Sequence, residues 1–394
     1  MMWRMLPRRH VAAIVIALAA HACGDSHDAT RGAASRIWAV GQTAKGAVIL
    51  RSDDLGEGWS TVFAAPMLTL SAVSFSDQDH GWAAGSAILR TEDGGSTWRV
   101  HENIVPVDPR PLGPFFFDVA ARDARTGIAV GETFSPPDRF TRSIAVQTGD
   151  GGMTWTALAS ATRADNAFLE AVCVGNDGTA VAVGGAGFNS VTSISFALSS
   201  DDAGATWQDV RGDLRADGVG FLEGSFRDVA CGPDGELWIV GRDLCQPFCD
   251  SDEPSEPLMI FRSRDGGVKW EEQSAEARRE VAETNSGLQA VAFVDRNRGW
   301  VAGFTGDDDD RRALVLRTAD AGAHWERRDL PGDPTGTLDA VAFATADVGI
   351  VAGRSGEDRP LLFATRNGGR RWTAVALPPD VKELADVGIV RTDE

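Results

Sequence analysis

One eight-residue motif, Ser/Thr-x-Asp-x-Gly-x-x-Trp, recurs seven times in this chain of 394 residues and constrains the fold more than any other feature. The copies, called boxes below, run over Ser52–Trp59, Thr91–Trp98, Thr148–Trp155, Ser200–Trp207, Ser263–Trp270, Thr318–Trp325 and Thr365–Trp372. Six intervals separate Trp59 from Trp372, with a mean of about 52 residues. This spacing is typical of the blades of large β-propellers.

Two further motifs also occur seven times each. An apolar strand that ends in glycine closes at Gly41, Gly85, Gly131, Gly184, Gly241, Gly303 and Gly353. A Leu/Phe-x-Ala/Asp-Val strand contains Val73, Val119, Val172, Val229, Val291, Val341 and Val387. The glycine-closed strand comes first in the chain and the Leu-x-Asp-Val strand comes last, so the C-terminal strand is expected to complete the N-terminal blade. The sequence predicts an all-β fold, a single seven-bladed β-propeller over residues 36–394.

Elementary chemistry assigns the box residues a structural role. The carboxylate of a box aspartate can accept hydrogen bonds from backbone amides of its own turn. The glycine permits a positive φ, and the tryptophan is expected to tuck under the turn while its N–H finds a partner. The predicted structural residues are Asp54, Asp93, Asp150, Asp202, Asp265, Asp320 and, in the last box, Asn367.

The first segment is typical of an export signal. Residues 1–10 carry three arginines and no acid, and residues 11–20 are apolar but too short to span a bilayer. Ala20 and Ala22 form a small-residue cleavage site, and Cys23 lies where a bacterial lipoprotein carries its lipid. We expect a signal peptide over 1–22, a lipid anchor at Cys23 and a flexible tether over 23–35. Plain secretion by cleavage at the same bond is the alternative. The expected location is the bacterial cell envelope.

In an exported protein the four remaining cysteines lie in an oxidising compartment, where disulfides can form. Cys245 and Cys249 are close enough in sequence to predict a small disulfide within one loop. Cys173 and Cys231 lie inside apolar strands, so they are expected to be buried thiols. No cysteine or histidine spacing fits a metal centre, and the sequence predicts no cofactor.

The boxes resemble the Asp-box, or BNR, repeats of sialidases, xyloglucanases and sortilin-type receptors. The fuller pattern of Leu70 to Trp98 is most similar to the photosystem II assembly/stability factor propellers of plants and cyanobacteria. That resemblance implies a seven-bladed propeller that docks on a membrane protein through an arginine-bearing surface. A likeness to the sialidase superfamily is expected in the fold only, because the motif residues are structural.

Several functions are disfavoured by composition. A net charge of −19 is unsuited to a nucleic-acid partner. The sialidase resemblance implies a tyrosine nucleophile, and the chain contains no tyrosine. The histidines leave no material for a catalytic triad. We therefore expect no catalytic residue and a protein-binding or scaffold function. Glycan binding or a glycosidase-like activity is the alternative.

The predicted working surface is the face of the ring that carries the long, variable loops after Gly131, Gly241 and Gly303. Its candidate binding residues are Arg242, Arg311, Arg312 and Arg354. Asp307, Asp308, Asp309 and Asp310 form an acidic run that could supply oxygen ligands to calcium, although a solvated loop is the simpler interpretation. Residues 274–284 predict one short helix on the same rim.

Overall fold

The computed structural model describes residues 35–101, 114–135, 140–161, 166–189, 192–210, 224–243, 258–281, 285–306, 310–357 and 359–392. These residues form seven antiparallel sheets of four strands each, arranged as a ring. The prediction of a seven-bladed propeller is confirmed. The expected signal peptide, Cys23 and nearly all of the tether lie outside the described residues, as do Cys245, Cys249 and Asp307 to Asp309.

Within each blade the strands are ordered outward from the central axis of the ring, and in blade 1 the last strand of the chain is innermost. Blade 1 contains β1 (Ser35–Thr43), β2 (Gly46–Ser52), β3 (Ser60–Ala65) and the last strand of the chain, β28 (Val381–Arg391). Blade 2 contains β4 (Leu70–Phe75), β5 (Gly81–Gly85), β6 (Ile88–Thr91) and β7 (Arg99–His101). Blade 3 contains β8 (Phe115–Ala121), β9 (Gly127–Ser135), β10 (Phe140–Thr148) and β11 (Thr156–Ala157), followed by a 3-10 turn over Ala159–Ala161.

The remaining blades repeat this order. Blade 4 contains β12 (Ala167–Val174), β13 (Ala180–Asn189), β14 (Thr192–Ser200) and β15 (Gln208–Asp209). Blade 5 contains β16 (Gly224–Cys231), β17 (Leu237–Asp243), β18 (Leu258–Ser263) and β19 (Glu271–Glu272), with helix α1 (Ser274–Val281) leading onward. Blade 6 contains β20 (Ser286–Phe293), β21 (Gly299–Thr305), β22 (Arg312–Thr318) and β23 (Glu326–Arg327). Blade 7 contains β24 (Thr337–Phe343), β25 (Gly349–Arg354), β26 (Pro360–Thr365) and β27 (Thr373–Ala374).

The ring is closed by β28, which pairs antiparallel with β1 from Ser35↔Arg391 to Thr43↔Val381. The C-terminal strand is therefore the innermost strand of blade 1, as the order of the sequence motifs predicts. It also contacts the next blade, because the Asp386 carboxylate accepts a hydrogen bond of 2.8 Å from the Val73 amide. This strand joins the two ends of the chain and buries the inner edge of β1.

Stacked aromatic rings cross three of the blade interfaces. Trp38 of blade 1 stacks on Phe75 of blade 2 at 3.5 Å between ring centroids, and Phe75 in turn meets the box tryptophan Trp98 edge-on. The same arrangement joins Trp238, Phe293 and Trp325, and joins Trp300, Phe343 and Trp372. Such pairs add roughly 1 kcal/mol each to the area that they bury. The apolar faces of neighbouring blades are thereby held in register.

The expected hydrogen bond from each box tryptophan is wrong for most copies. In the part of the chain that the structure describes, only Trp270 among the box tryptophans donates its N–H, to the Gly267 carbonyl at 3.0 Å. Instead, Trp38 and Trp300 in second strands donate to carbonyls of the next box, at 3.3 Å to Gly94 and 3.1 Å to Gly368. The box rings are held mainly by apolar packing beneath the turn.

The expectation of two buried thiols at Cys173 and Cys231 is also wrong. The two cysteines form a disulfide across a Cα–Cα distance of 5.5 Å. They are 58 residues apart in sequence but lie near the ends of β12 and β16, the inner strands of adjacent blades. They meet because the two blades stack on each other, a contact that the distance in sequence does not reveal.

Helix α1 confirms the short helix predicted after the fifth box. It spans eight residues, and within the described ranges no helix combines the length and apolar character that crossing a bilayer requires.

Removal of residues 380–394 deletes β28 and should abolish the cooperative unfolding transition. The truncation exposes the inner edge of β1 and removes the Asp386 bond to blade 2, and an unpaired edge promotes association between chains. Thermal unfolding followed by near-ultraviolet circular dichroism measures the effect. A control truncation of residues 392–394, which lie beyond β28, should melt like the full chain. A cooperative transition in the longer truncation would contradict this account.

Candidate functional site

The antiparallel topology gives the ring two chemically different faces. Connections from the first to the second strand and from the third to the fourth strand of each blade lie on one face, called the box face because it carries all seven boxes. The other connections lie on the opposite face, called the loop face. Helix α1 and the starts of the inner strands also belong to the loop face, together with the predicted arginines.

The boxes are self-contained turns. In the box of blade 2, Asp93 Oδ1 accepts a 2.8 Å hydrogen bond from the Thr97 amide, and the Thr91 hydroxyl accepts one of 2.8 Å from the Gly95 amide. Every box glycine at this position has a φ between 79° and 90°, a region that favours glycine. The amide four residues on donates to the box carboxylate or carboxamide in all seven copies, at 2.8–2.9 Å.

These hydrogen bonds keep the box carboxylates ionised. Hydrogen bonds from Thr154 and Thr206 lower the pKa of Asp150 and of Asp202 to about 2. The box aspartates of blades 1, 2, 5 and 6, namely Asp54, Asp93, Asp265 and Asp320, have a lowered pKa as well, because backbone amides and hydroxyls donate to them against the desolvation that opposes it. Their bonding capacity is used within the turn.

The strand-closing glycines allow charged residues to be placed at the opening of the central channel on the loop face, called the mouth of the ring below. A Cβ at any of these seven positions would lie 2.0–2.3 Å from a carbonyl oxygen of the adjoining inner strand. Each inner strand shifts register there, which leaves one extra residue at the variable position of the Leu/Phe-x-Ala/Asp-Val motif. Three of those extra residues carry charge: Glu170, Arg227 and Asp339.

An aromatic ring holds two of the predicted arginines together. The guanidinium carbon of Arg311 lies 4.0 Å from the centroid of Phe304, and that of Arg242 lies 5.4 Å from the same centroid. Arg242 also contacts Asn285 at the entrance to blade 6. Cation–π contacts of this kind contribute roughly 0.5–1 kcal/mol at exposed sites. Two guanidinium groups are thus held beside the same aromatic ring at the end of β21.

Two ion pairs lie beside this aromatic contact. Arg354 Nη1 is 3.1 Å from Asp339 Oδ2, and Arg227 Nη1 is 3.0 Å from Glu170 Oε1. The Glu170 side chain is fully buried and that of Asp339 is 3% exposed, whereas Arg227 and Arg354 remain about one quarter exposed. Burial raises the pKa of Asp339 to about 6, against the opposing fields of Arg354, Arg227 and Arg311.

The structure therefore brings Arg242, Arg311 and Arg354 into one group around the mouth of the ring. It adds Arg227, which the sequence analysis missed although a charged residue stands out within that apolar strand. We call Arg227, Arg242, Arg311 and Arg354, with Phe304, the arginine rim. Arg354 is only about one quarter exposed, because it pairs with the buried Asp339.

The remaining loop-face predictions have a different outcome. Arg312 is directed away from the rim, towards Asp333 at 3.1 Å and Asp310 at 3.4 Å. Asp310 is exposed, and it is the one residue of the acidic run within the described ranges. Over those ranges, no three His, Cys, Asp or Glu side chains are grouped as a metal site requires. Calcium binding by this loop stays a prediction.

The ring of seven four-stranded blades, each with its box, defines this protein as an Asp-box β-propeller. The stretch over residues 178–382, just over half of the chain, matches the family described as BNR repeat-like domain. The chain belongs to this family.

Its relatives extend the comparison over most of the chain. It is 22% identical over 350 residues to the chloroplastic photosystem II stability/assembly factor HCF136 of Arabidopsis thaliana, covering 78% of this chain and 79% of that protein. The expected resemblance to that factor is confirmed. YCF48 from Cyanidioschyzon merolae superposes with a TM-score of 0.50 at 17% identity, covering 83% of this chain and 90% of that one. The GH74 xyloglucanase of Xanthomonas campestris gives a TM-score of 0.50 at 15% identity, covering 89% of this chain and 60% of that one.

Substitution Arg354→Gln should lower the free energy of unfolding by about 2–3 kcal/mol at pH 7.5, because it leaves the buried Asp339 carboxylate without its partner. The loss should be much smaller at pH 5. The pKa of Asp339 in the folded state is raised to about 6, so this side chain is protonated and neutral at pH 5 and does not need the charge of Arg354. The proton is lost, and the buried charge appears, as the pH rises through about 6. Urea unfolding at both pH values measures the difference. Arg312→Gln, a matched change on exposed acids, should shift stability by less than about 0.5 kcal/mol. Equal losses at the two pH values would contradict the assignment.

Proposed function

We propose that this chain is a non-catalytic scaffold that binds a protein partner through the arginine rim. The observation that carries the proposal is the stacking of Arg242 and Arg311 on Phe304, beside Arg227 and Arg354. A rigid aromatic contact and fixed guanidinium groups are the features that dominate protein interfaces. The relative from Arabidopsis thaliana is named a stability/assembly factor, which supports a role in assembling other proteins.

The electrostatics of the rim favour an acidic segment of the partner. The chain as a whole carries a net charge of −19, so a local group of arginines is distinct from most of its surface. An acidic segment would be drawn to this mouth and repelled elsewhere, which improves both the rate and the register of association. Phe304 is buried, so it would position the two guanidinium groups and not contact the partner itself.

Two observations favour this function over an enzyme or a glycan-binding module. The absence of tyrosine removes the nucleophile that sialidase-type catalysis uses. Sugar binding needs exposed aromatic platforms, and every tryptophan of the described ranges is buried or half-buried in the blade packing. The GH74 xyloglucanase shares the fold, so glycan binding is the alternative function, and a binding assay with polysaccharides tests it directly.

We also propose that the protein is exported and anchored by a lipid at Cys23. The arginine-bearing start, the apolar run over residues 11–20 and the site at Ala20 to Ala22 support export. The disulfide between Cys173 and Cys231 supports an oxidising compartment, where such bonds persist. A lipid anchor would hold the propeller near membrane-associated partners.

Partner binding is tested by site-specific photo-cross-linking in cells. A photoreactive residue at position 312, on the loop face beside the rim, should give a defined protein adduct, whereas one at position 96 on the box face should not. The double variant Arg242→Gln and Arg311→Gln should reduce that adduct at least tenfold with a small change in melting temperature. Arg296→Gln, an exposed arginine of the box face, serves as the matched control. An unchanged adduct in the double variant would refute the rim as the binding surface.

Lipid attachment is tested by metabolic labelling with palmitate. The natural protein should incorporate the label and partition into detergent, and Cys23→Ser should do neither. Secretion of an unlabelled natural protein would instead support simple cleavage after Ala22.

Thiol titration of the folded protein should find Cys173 and Cys231 unreactive until a reductant is added.

A further inference from the structure

The residue just before a box usually ties that blade to the next one. Arg51 donates to the Gly94 carbonyl at 3.2 Å, and Arg262 donates to the Ala321 carbonyl at 3.1 Å. Gln147 makes the same connection to Ala203 at 2.8 Å, and Arg90 bonds the Gly151 carbonyl. In these four clefts a side chain from the earlier blade is hydrogen-bonded to the box of the next blade.

The cleft between blades 6 and 7 departs from this pattern. Its carbonyl, that of Gly368, accepts the Trp300 N–H at 3.1 Å, as Gly94 accepts that of Trp38, but among the described residues Arg317 adds no bond to it. Arg317 occupies the position before the box of blade 6, and its guanidinium lies 3.9 Å from the exposed Glu326 carboxylate. Its Nε atom is buried and has no hydrogen-bond partner within the described residues. The guanidinium of Arg317 is thus not used to join the blades.

A second arginine enters the same cleft. Arg328 lies three residues after the box tryptophan of blade 6, where blades 1, 4 and 7 have valine at Val62, Val210 and Val375. Arg328 contacts Glu326 through one terminal nitrogen, while its Nε is buried and unpartnered in the described part of the chain. A position that is apolar in four blades is therefore cationic in blade 6.

The opposite wall of the cleft has lost a negative charge. It is formed by the box of blade 7, the one copy in which asparagine, Asn367, replaces aspartate. Asn367 makes the usual bond to the amide four residues on, at 2.8 Å to Arg371, so the turn keeps its geometry. The same box carries the exposed Arg370, whose Nε bonds the Asn367 carbonyl at 3.0 Å.

These positive charges act on one another. Desolvation lowers the pKa of Arg317, and the nearby guanidinium groups of Arg370 and Arg298 lower it further against the field of Asp347. Desolvation also lowers the pKa of Arg328, with Arg317 and Arg370 adding to the effect and Asp329 and Glu280 opposing it. The three arginines therefore lie close enough for their charges to interact, with the acids Glu326, Asp347, Asp329 and Glu280 nearby.

The equivalent cleft between blades 2 and 3 provides a contrast within the same molecule. There Arg90 pairs with Glu92 at 2.8 Å and bonds backbone carbonyls, and the facing box retains the ionised Asp150. The positions of Arg328 and Arg370 are held by His101 and Met153. Acids and bases are balanced in that cleft.

We propose that the cleft between blades 6 and 7 binds an oxyanion, a phosphate, sulfate or carboxylate group, between Arg317, Arg328 and Arg370. Guanidinium groups match such anions through paired N–H donors, and partial desolvation strengthens the contact. The site lies on the box face, opposite the arginine rim, so it is separate from the proposed partner surface. The neutral Asn367 has a direct role in this account, because an aspartate there would repel the anion.

The test is calorimetric titration of the full chain with inorganic phosphate, sulfate and acetate at constant ionic strength. We expect saturable binding of at least one anion, and the tightest of the three identifies the preferred group. Asn367→Asp, which restores the residue of the other six boxes, should weaken binding at least tenfold while the protein stays folded. Arg317→Gln should have an effect of similar size.

The matched control is Asp93→Asn, the reverse change in the box of blade 2, which should leave anion affinity unaltered. Heats that match those of chloride at equal ionic strength, or equal affinity in Asn367→Asp and the natural protein, would overturn the proposal. Cross-linking at position 312 should be unaffected by Asn367→Asp. Failure of the oxyanion site is therefore distinguishable from failure of the rim.

Discussion

The ring is closed by the antiparallel pairing of β28 with β1. A four-stranded blade has two apolar faces, and neither can be buried unless a neighbour stacks on each side. In a ring, the last blade has a neighbour only if the two ends of the chain meet. By placing the C-terminal strand innermost in blade 1, the fold makes this meeting a continuous ladder of backbone hydrogen bonds. An open arc would leave two blades with exposed faces.

Contacts between blades then convert the closed ring into a rigid frame. Aromatic stacks such as Trp38 on Phe75 join the middle strands of one blade to the inner strand of the next. Three buried aspartates on inner strands each accept a hydrogen bond of 2.7–2.8 Å from a backbone amide on the inner strand of the next blade. They are Asp118, Asp228 and Asp386. Burial raises the pKa of Asp228 and of Asp386 well above the ordinary range. The boxes are fixed to this frame, which leaves the loop face free to vary.

Both proposed sites follow from small departures from the repeat. At the loop face, the register shift in each inner strand frees one residue, which in blade 5 is Arg227 of the rim and in blade 7 is Asp339, the partner of Arg354. At the box face, an arginine at position 328 and an asparagine at position 367 alter one cleft among seven. A repeated scaffold thus acquires distinct sites where side chains change while the backbone is kept.

The number of blades, the order of the strands and the closure of the ring can be predicted from the sequence alone, because these depend on periodic motifs and local turn chemistry. The self-satisfying box turns and the short helix could be predicted for the same reason. The tertiary structure alone decided which distant residues meet. Cys173 and Cys231 become partners because their strands are adjacent in the ring. Arg227 meets Arg354 beside Asp339 because the inner strand of blade 5 and the second strand of blade 7 bring them to the same opening of the ring. Such contacts arise between blades, and no local pattern encodes the distance between two residues on neighbouring sheets.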